Sequence, residues 1–197
     1  MRKSKHAKAA SHARIVTAAA SVMRRRGPER TSIADVMDAA GMTPGGFYRH
    51  FGNREAMLAA ALPAAFEQFS IRVMQHLAAA RGATPFEGFE EFYLSALHVA
   101  DPAGGCPLAA LGSDIARASP ALRAQFGQGL RQVIAALSMA IGEQHGDHRV
   151  IATRQLATMV GAVILARASD PETGQAVLAD CLGAARDAIA ASPPPTA

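Results

Sequence analysis

Apolar residues recur at intervals of three and four positions along most of the chain. In the first such segment, about residues 11–26, they are Ile15, Ala18, Ala19, Val22 and Met23. This spacing places them on one face of an α-helix. Similar segments follow, and none alternates apolar and polar positions as a half-buried strand would. The pattern therefore predicts an all-α fold.

Glycine, proline and hydroxyl residues mark the ends of the first predicted helices. Gly27-Pro28 ends the first helix, because glycine favours the left-handed conformation that closes many helices. Thr31 or Ser32 can cap a short second helix through its side-chain oxygen. Gly41 ends that helix, and we expect a positive φ there, which glycine adopts without strain.

The remaining helices are predicted in the same way. Thr43 can cap a third short helix, with Pro44 in its first turn. A long helix follows from about Arg54 with Pro63 inside it, and this proline is either a fixed kink or a hinge. The later predicted helices cover about residues 86–100, 107–118, 120–144, 149–168 and 171–191.

Charge divides the chain into two parts. Residues 1–55 carry eleven Lys or Arg against four Asp or Glu, whereas residues 56–197 carry nine against twelve. A basic front on a mildly acidic body indicates a polyanion-binding segment joined to a separate domain. The predicted organisation is a flexible basic arm over 1–10, a basic front domain over 11–55, a mildly acidic helical domain over 56–191 and a disordered tail over 192–197.

Composition favours a globular protein of the cytoplasm. Half of the 197 residues are hydrophobic, which suffices for a buried core, and Cys106 and Cys181 cannot form a disulfide scaffold. The longest apolar run, Leu156–Ala166, is shorter than a membrane span, which needs about 18 residues. The apolar run near the N-terminus ends at Arg24-Arg25-Arg26, where a signal peptide would have small residues. We therefore expect no membrane association.

Three short helices within about 45 residues, with a glycine-containing turn between the second and third, are typical of a helix-turn-helix. Phe47 and Phe51 lie four positions apart and would face inward on the third helix. The open side then carries a cluster of polar and small residues: Gly45, Gly46, Tyr48, Arg49 and His50.

This open side suits a DNA groove. Glycines let the backbone approach closely, hydroxyl and imidazole groups can donate to phosphate oxygens, and Arg49 can reach a phosphate or a guanine edge. Arg54, at the start of the next helix, could pair with a phosphate. The predicted DNA-binding residues are Thr31, Thr43, Pro44, Gly45, Gly46, Tyr48, Arg49, His50 and Arg54.

The segment Ser32–Leu58 resembles the DNA-binding domain of TetR-family transcriptional regulators. The specific part is Phe47-Tyr-Arg-His-Phe51, followed by a short break and a helix that starts basic–acidic–Ala-x-Leu. The resemblance covers about residues 11–60. Arg54 stands where the family usually has lysine, and the glycine pair at 45–46 leaves few long side chains to contact bases.

The resemblance implies a homodimer. Its helix-turn-helix DNA-binding domain would cover residues 11–55, and a helical ligand-binding and dimerisation domain over 56–191 would bind a small-molecule inducer. The helices at about 149–168 and 171–191 would pair with those of the second subunit. Two recognition helices roughly 34 Å apart would then enter successive major grooves of a palindromic operator. Such a dimer would act as a repressor, and a ligand that favours another spacing would release it through the helix that begins at Arg54.

The ligand site is predicted less directly. Its candidate residues are Phe66, Phe69, Phe89, Phe92, Tyr93, His98, Cys106 and Met159. Aromatic residues at helical spacing are also typical of a core. Likewise, His98 could polarise a ligand or be a core histidine with its hydrogen bonds satisfied.

Two other features have alternative interpretations. Cys106 precedes Pro107 at a predicted helix start, where the helix dipole favours a thiolate. It could sense electrophiles or oxidants, or it could be a small residue at a helix entry, while Cys181 fits packing. His145 and His148 could ligate a metal, but a solvated loop explains them better, and we expect no metal or cofactor.

Enzymatic function has little support in the sequence. A glycine-rich phosphate loop, a nucleophile elbow and a paired-carboxylate motif are all missing, so we expect no enzyme activity. Two alternatives to a repressor stay open. One is a DNA-binding protein that organises the chromosome, and the other is a helical enzyme or small-molecule carrier that retains the front domain.

Overall fold

The computed structural model describes the backbone of residues 2–79, 84–141 and 147–190, and these residues form helices with no strand. The predicted all-α class is confirmed. The elements are α1 (Arg2–Arg26), α2 (Ile33–Ala39), a 3₁₀ helix (Pro44–Arg49), α3 (Arg54–Ala79), α4 (Pro85–Tyr93), α5 (Ala96–Ala100), α6 (Pro107–Ile115), α7 (Pro120–Ile141), α8 (His148–Ala168) and α9 (Pro171–Ala190). The predicted tail over 192–197 lies outside the described residues.

Helix α1 is longer than its apolar pattern indicates. It begins at Arg2 rather than near Ser11, so the segment predicted as a flexible arm is helical. Residues 2–10 have no apolar stripe, and they lie almost entirely exposed where their side chains are described. Alanine and lysine have high helix propensity, which extends a helix without burial.

The single helix predicted over 86–100 is wrong, because the chain forms two helices there. α4 ends at Tyr93, and the Ser95 hydroxyl accepts a hydrogen bond from the backbone N–H of His98. Serine at this position caps a new helix and stops the preceding one from continuing. The apolar residues on both sides kept the same period, so the break was not visible in the pattern.

The chain divides into two compact units, and their boundary differs from the one predicted at residue 55. The first unit comprises residues up to 69 together with 102–127, and the second comprises 70–101 and 128 onward. Within the first unit, α6 packs against α1 and α2 packs against both α1 and the 3₁₀ helix. The pairing of α6 with α1 joins segments distant in sequence, which helical period alone does not reveal.

The buried side chain of Arg24 links α1 to two other segments of the first unit through hydrogen bonds. Its side chain is 4% exposed. The Nε atom donates to the carbonyl of Ala103 at 2.6 Å, and the two terminal nitrogens donate to the carbonyl of Ala65 and to Oε1 of Gln68, each at 2.7 Å. Because Arg24 is enclosed in this way, it does not contribute to the basic surface.

The second unit contains a closely packed pair, α8 and α9, with α4 against both and α5 against α8. By length and composition α8 could cross a membrane, which the sequence analysis did not predict. Its buried stripe includes Leu156, Met159 and Val163. A core helix passes the same test, so this is weak evidence for a membrane span.

Candidate nucleic-acid interface

Gly41 sets the turn that leads into the 3₁₀ helix. Its φ is +64°, which confirms the predicted positive value. Its N–H donates to the carbonyl of Asp38, and the next N–H, of Met42, donates to the carbonyl of Met37, both at 2.8 Å. These bonds close the end of α2, so the chain turns sharply before Thr43.

Two phenylalanines anchor the inner side of the 3₁₀ helix. Phe47 is fully buried, and its ring stacks on that of Phe51 at 5.7 Å. Because Phe47 faces inward, the following residues face outward: Tyr48 is 72% exposed and Arg49 is exposed. The edge of the Tyr48 ring meets Phe47 at 5.2 Å, which supports the exposed ring from below.

The start of the 3₁₀ helix presents open backbone. Thr43, Pro44 and Gly45 are exposed, and no described atom lies within 4 Å of the place that a Cβ would take at Gly45. A Cβ at Gly46 would contact Cε of Met37 at 3.6 Å, an ordinary distance. Thr43 precedes the helix but its side chain makes no capping bond, so its hydroxyl is not engaged in the cap.

Two of the predicted DNA-contact residues make hydrogen bonds within the domain. Thr31 is fully buried, and its hydroxyl donates to the carbonyl of Gly27 at 2.7 Å. Arg54 donates through Nε to the carbonyl of Thr31 at 2.7 Å and through a terminal nitrogen to the carbonyls of Pro28 and Glu29. Both side chains therefore stabilise the α1–α2 connection.

His50 lies half-buried at the end of the 3₁₀ helix. Its Nδ1 is buried and has no hydrogen-bond partner among the described residues. Partial burial, reinforced by the nearby His12, Lys8 and Arg49, lowers the pKa of His50. The His12 ring lies 6.0 Å from that of His50 and stacks on Phe51 at 4.6 Å. Sequence reasoning missed His12, although it lies one helical turn before the buried Ile15.

The predicted ligand residues are distributed over both units. Phe66, Phe69 and Cys106 lie in the first, and Phe89, Phe92, Tyr93, His98 and Met159 lie in the second. All eight are buried. A shared ligand site for this set therefore stays a prediction.

His98 fits the interpretation as a core histidine. It is fully buried, and its Nδ1 lies 2.7 Å from the carbonyl of Tyr93, to which the neutral ring donates. Its ring stacks with Phe92 and meets Tyr93 edge-on. Burial lowers the pKa of His98 to about 4, with Arg167 and Arg72 adding to the effect.

The cysteines and the candidate metal ligands differ in their surroundings. Cys106 precedes α6 as predicted but is fully buried, which shields its thiol from a bulky electrophile. Burial raises the pKa of Cys181, which disfavours a thiolate there. His148 is the first residue of α8 and Asp147 caps it, while His145 lies outside the described residues.

Two buried polar residues were not anticipated. Glu90 is fully buried on α4, and Gln155 is 5% exposed on α8. Glu90 lies four positions after Phe86 and three before Tyr93, so it occupies the apolar stripe of its helix. This register was the signal in the sequence that could have predicted the burial of Glu90.

Comparison with known proteins agrees with the helix-turn-helix geometry. Residues 15–61 match the family model described as bacterial regulatory proteins, tetR family. The N-terminal segment of the chain is therefore a DNA-binding domain of the TetR type. Two regulators from Pseudomonas putida, TtgR and the probable regulator ArpR, are each 34% identical to it over 67 residues. These matches cover 34% of this chain and only 32% of each relative.

Solved structures extend the likeness from this segment to the fold of the whole chain. A TetR transcriptional regulator from Chloroflexus aurantiacus is 24% identical, with a TM-score of 0.78 and full coverage of both chains. A TetR-family regulator from Cytophaga hutchinsonii is 23% identical, with a TM-score of 0.77 and coverage of 94% of this chain and 96% of the other. At this identity the likeness shows a common fold.

Proposed function

We propose that this TetR-family regulator is a cytoplasmic, homodimeric repressor that binds a palindromic operator and is released by a small-molecule or electrophile inducer. The observation that carries the proposal is the outward surface of the 3₁₀ helix. There Tyr48 and Arg49 are exposed over a buried Phe47, and the backbone at Gly45 is open.

The residues of this surface offer DNA different kinds of contact. Arg49 supplies a charged fork for a phosphate or a guanine edge, and Tyr48 supplies a hydroxyl and an apolar ring. The backbone at Gly45 can approach a groove wall without a side chain between them. We assign Thr43, Pro44 and Gly46 to the same contact surface, because they flank this open backbone.

Dimerisation is proposed through α8 and α9. Along α8 the side away from the buried stripe carries small and aliphatic residues: Ala157 and Ile164 are exposed, and Val160 and Gly161 are half-buried. Leu165 is 56% exposed. Val163 of α8 and Leu178 of α9 are buried within the unit and belong to its core.

DNA binding is tested by selecting duplexes from a random-sequence library with the purified protein. We expect a palindrome from the wild type and none from Tyr48→Ala/Arg49→Ala. Arg123→Ala is a charge-matched control, since Arg123 is exposed on α7. Duplexes retained at low salt with no shared sequence would contradict sequence-specific binding. Dispersed footprints on the genome rather than promoter sites would favour the chromosome-organising alternative.

Repression and release are tested by transcription in vitro from a promoter that carries the selected palindrome. We expect the protein to lower transcript yield in proportion to operator occupancy, and an increased yield would make it an activator. Release by an electrophile is tested with N-ethylmaleimide on wild type and Cys106→Ala. Equal release of both proteins would exclude Cys106 as the sensor and point to another nucleophile such as Cys181. Release of neither would leave a non-covalent inducer.

The dimer face is tested by charge on α8. Ile164→Glu places a carboxylate in the proposed interface, whereas Arg123→Glu changes the charge at an exposed position of α7, outside that interface. Sedimentation velocity should show monomers for Ile164→Glu and dimers for the wild type and Arg123→Glu. Unchanged dimers of Ile164→Glu would place the interface elsewhere.

A further inference from the structure

A cavity of about 270 Å³ lies beside the proposed DNA-reading surface, between α1 and the 3₁₀ helix. One wall is part of α1 and includes Ala7 and Lys8, which the sequence analysis assigned to a flexible arm. Its polar lining is Lys8 and Ser11 from that wall and Arg49 and His50 from the other. The remaining lining residues are the small or apolar Ala7, Met42 and Gly46.

The polar residues that line this cavity can donate hydrogen bonds from both of its walls. Lys8 and Arg49 are cations that only donate, Ser11 carries a hydroxyl, and an imidazole presents an N–H in either tautomer. The lining contains no carboxylate. Such a set favours a compact anion with several acceptor oxygens, and a phosphate group has this form.

His50 adds an observation that is independent of the charge. Its Nδ1 is buried and has no partner among the described residues, although buried polar atoms are nearly always hydrogen-bonded. Its ring lies against His12, which is itself stacked on Phe51 at 4.6 Å. His12 therefore acts as a positioning residue that limits how the His50 ring can turn.

We propose that this cavity binds a phosphodiester of the DNA backbone, with Lys8 and Arg49 opposing its charge and Ser11 and His50 donating to its oxygens. The inference rests on the proposed DNA binding and adds α1 to the interface. A phosphate held between α1 and the 3₁₀ helix would fix how far Tyr48 and Gly45 enter the groove, because phosphate contacts set register on a duplex.

The test measures salt dependence of binding by fluorescence anisotropy. The probes are a labelled duplex from the selection and a 30-base-pair duplex of unrelated sequence, titrated at several NaCl concentrations. Removing one phosphate contact reduces the slope of log K against log salt by about 0.9 for each domain engaged. We expect this reduction for Lys8→Ala on both duplexes.

Lys5→Ala is the matched control, since Lys5 is exposed on α1 and does not line the cavity. We expect it to change the slope less than Lys8→Ala does. Ser11→Ala should weaken binding about three- to tenfold, as loss of one neutral hydrogen bond does, with the slope unchanged. Circular dichroism confirms that each variant is folded.

The remaining outcomes distinguish failure of the cavity assignment from failure of the proposed DNA binding. If Lys5→Ala and Lys8→Ala reduce the salt slope equally, α1 attracts DNA by its overall charge and not through the cavity. The cavity assignment would then fail, and the proposed regulatory function would be unaffected. Inorganic phosphate is titrated separately and followed by NMR at His50. If it shifts that ring at low millimolar concentration while neither duplex binds, the cavity takes a free anion and the proposed DNA binding fails. If neither duplex nor inorganic phosphate binds, both the cavity assignment and the proposed DNA binding fail.

Discussion

Gly174 of α9 approaches Ala166 of α8 so closely that a Cβ at position 174 would lie 3.0 Å from the carbonyl oxygen of Ala166 and 3.3 Å from its Cα. Both neighbouring atoms are backbone, so they cannot move aside as a flexible side chain would. The two helices therefore pack at a distance that glycine fits without adjustment, whereas a Cβ would require the backbone to shift by a few tenths of an ångström.

We therefore expect Gly174→Ala to lower the free energy of unfolding by about 1–3 kcal/mol, the usual cost of overpacking. Gly112→Ala on α6 is the matched control, since the nearest side-chain atom to a Cβ there is Cζ of Phe126 at 3.9 Å, an ordinary contact. That variant should be neutral or slightly more stable, because alanine favours helix. Urea denaturation followed by circular dichroism measures both, and equal destabilisation would contradict the close approach.

Replacing Arg54 should affect stability rather than phosphate contact. Arg54→Met removes the hydrogen bonds to the carbonyls of Pro28, Glu29 and Thr31. We expect the free energy of unfolding to fall by about 1–2 kcal/mol, the scale of a partly exposed charged hydrogen bond. At a temperature where the variant is folded, the salt slope of DNA binding should match the wild type. A slope reduced as much as in Arg49→Ala would restore Arg54 as a phosphate contact.

Arg24 and its neighbour Arg25 should differ in the same measurement. Arg24→Met keeps the aliphatic stem but leaves the acceptors on Ala65, Gln68 and Ala103 without their donor. The expected loss of unfolding free energy is about 2–3 kcal/mol. Arg25→Met, at an exposed position, should change it by less than about 0.5 kcal/mol. A similar effect of both variants would mean that net charge, not the buried ties, is responsible.

His98 should make the protein less stable in acid. The pKa of His98 is about 4 in the folded protein, against 6.5 for an ordinary histidine such as that of the unfolded chain. Between these pH values the unfolded chain therefore binds one proton more than the folded protein does. Stability is therefore complete above about pH 6.5 and falls as the pH drops towards 4. The full difference corresponds to about 3 kcal/mol.

Urea titrations at pH 7 and pH 4.5 measure this loss. His98→Gln removes the titrating group and should show a smaller loss between the two values, whatever its stability at pH 7. His76→Gln is the control, since His76 is exposed on α3, and it should retain the wild-type pH dependence. If His98→Gln loses as much stability in acid as the wild type, other groups account for the effect.

The helix-turn-helix was readable from the sequence because its determinants are local. Gly41 needs a positive φ, Ser32 caps α2, and Phe47 and Phe51 repeat one turn apart. The roles of polar residues with distant partners were not readable in this way. Thr31 and Arg54 have the right chemistry for a phosphate, and only folding brought their donors to backbone carbonyls.

The sequence by itself determined the helical class, most helix ends, the basic front domain and its outward residues Tyr48 and Arg49, since these depend on period, caps and charge. The tertiary structure decided the rest. It enclosed Arg24, Glu90 and Cys106, and it joined α6 to α1. It also placed Lys8 and Ser11 opposite His50. These are relations between side chains far apart in the chain, and their distances follow from packing rather than from spacing.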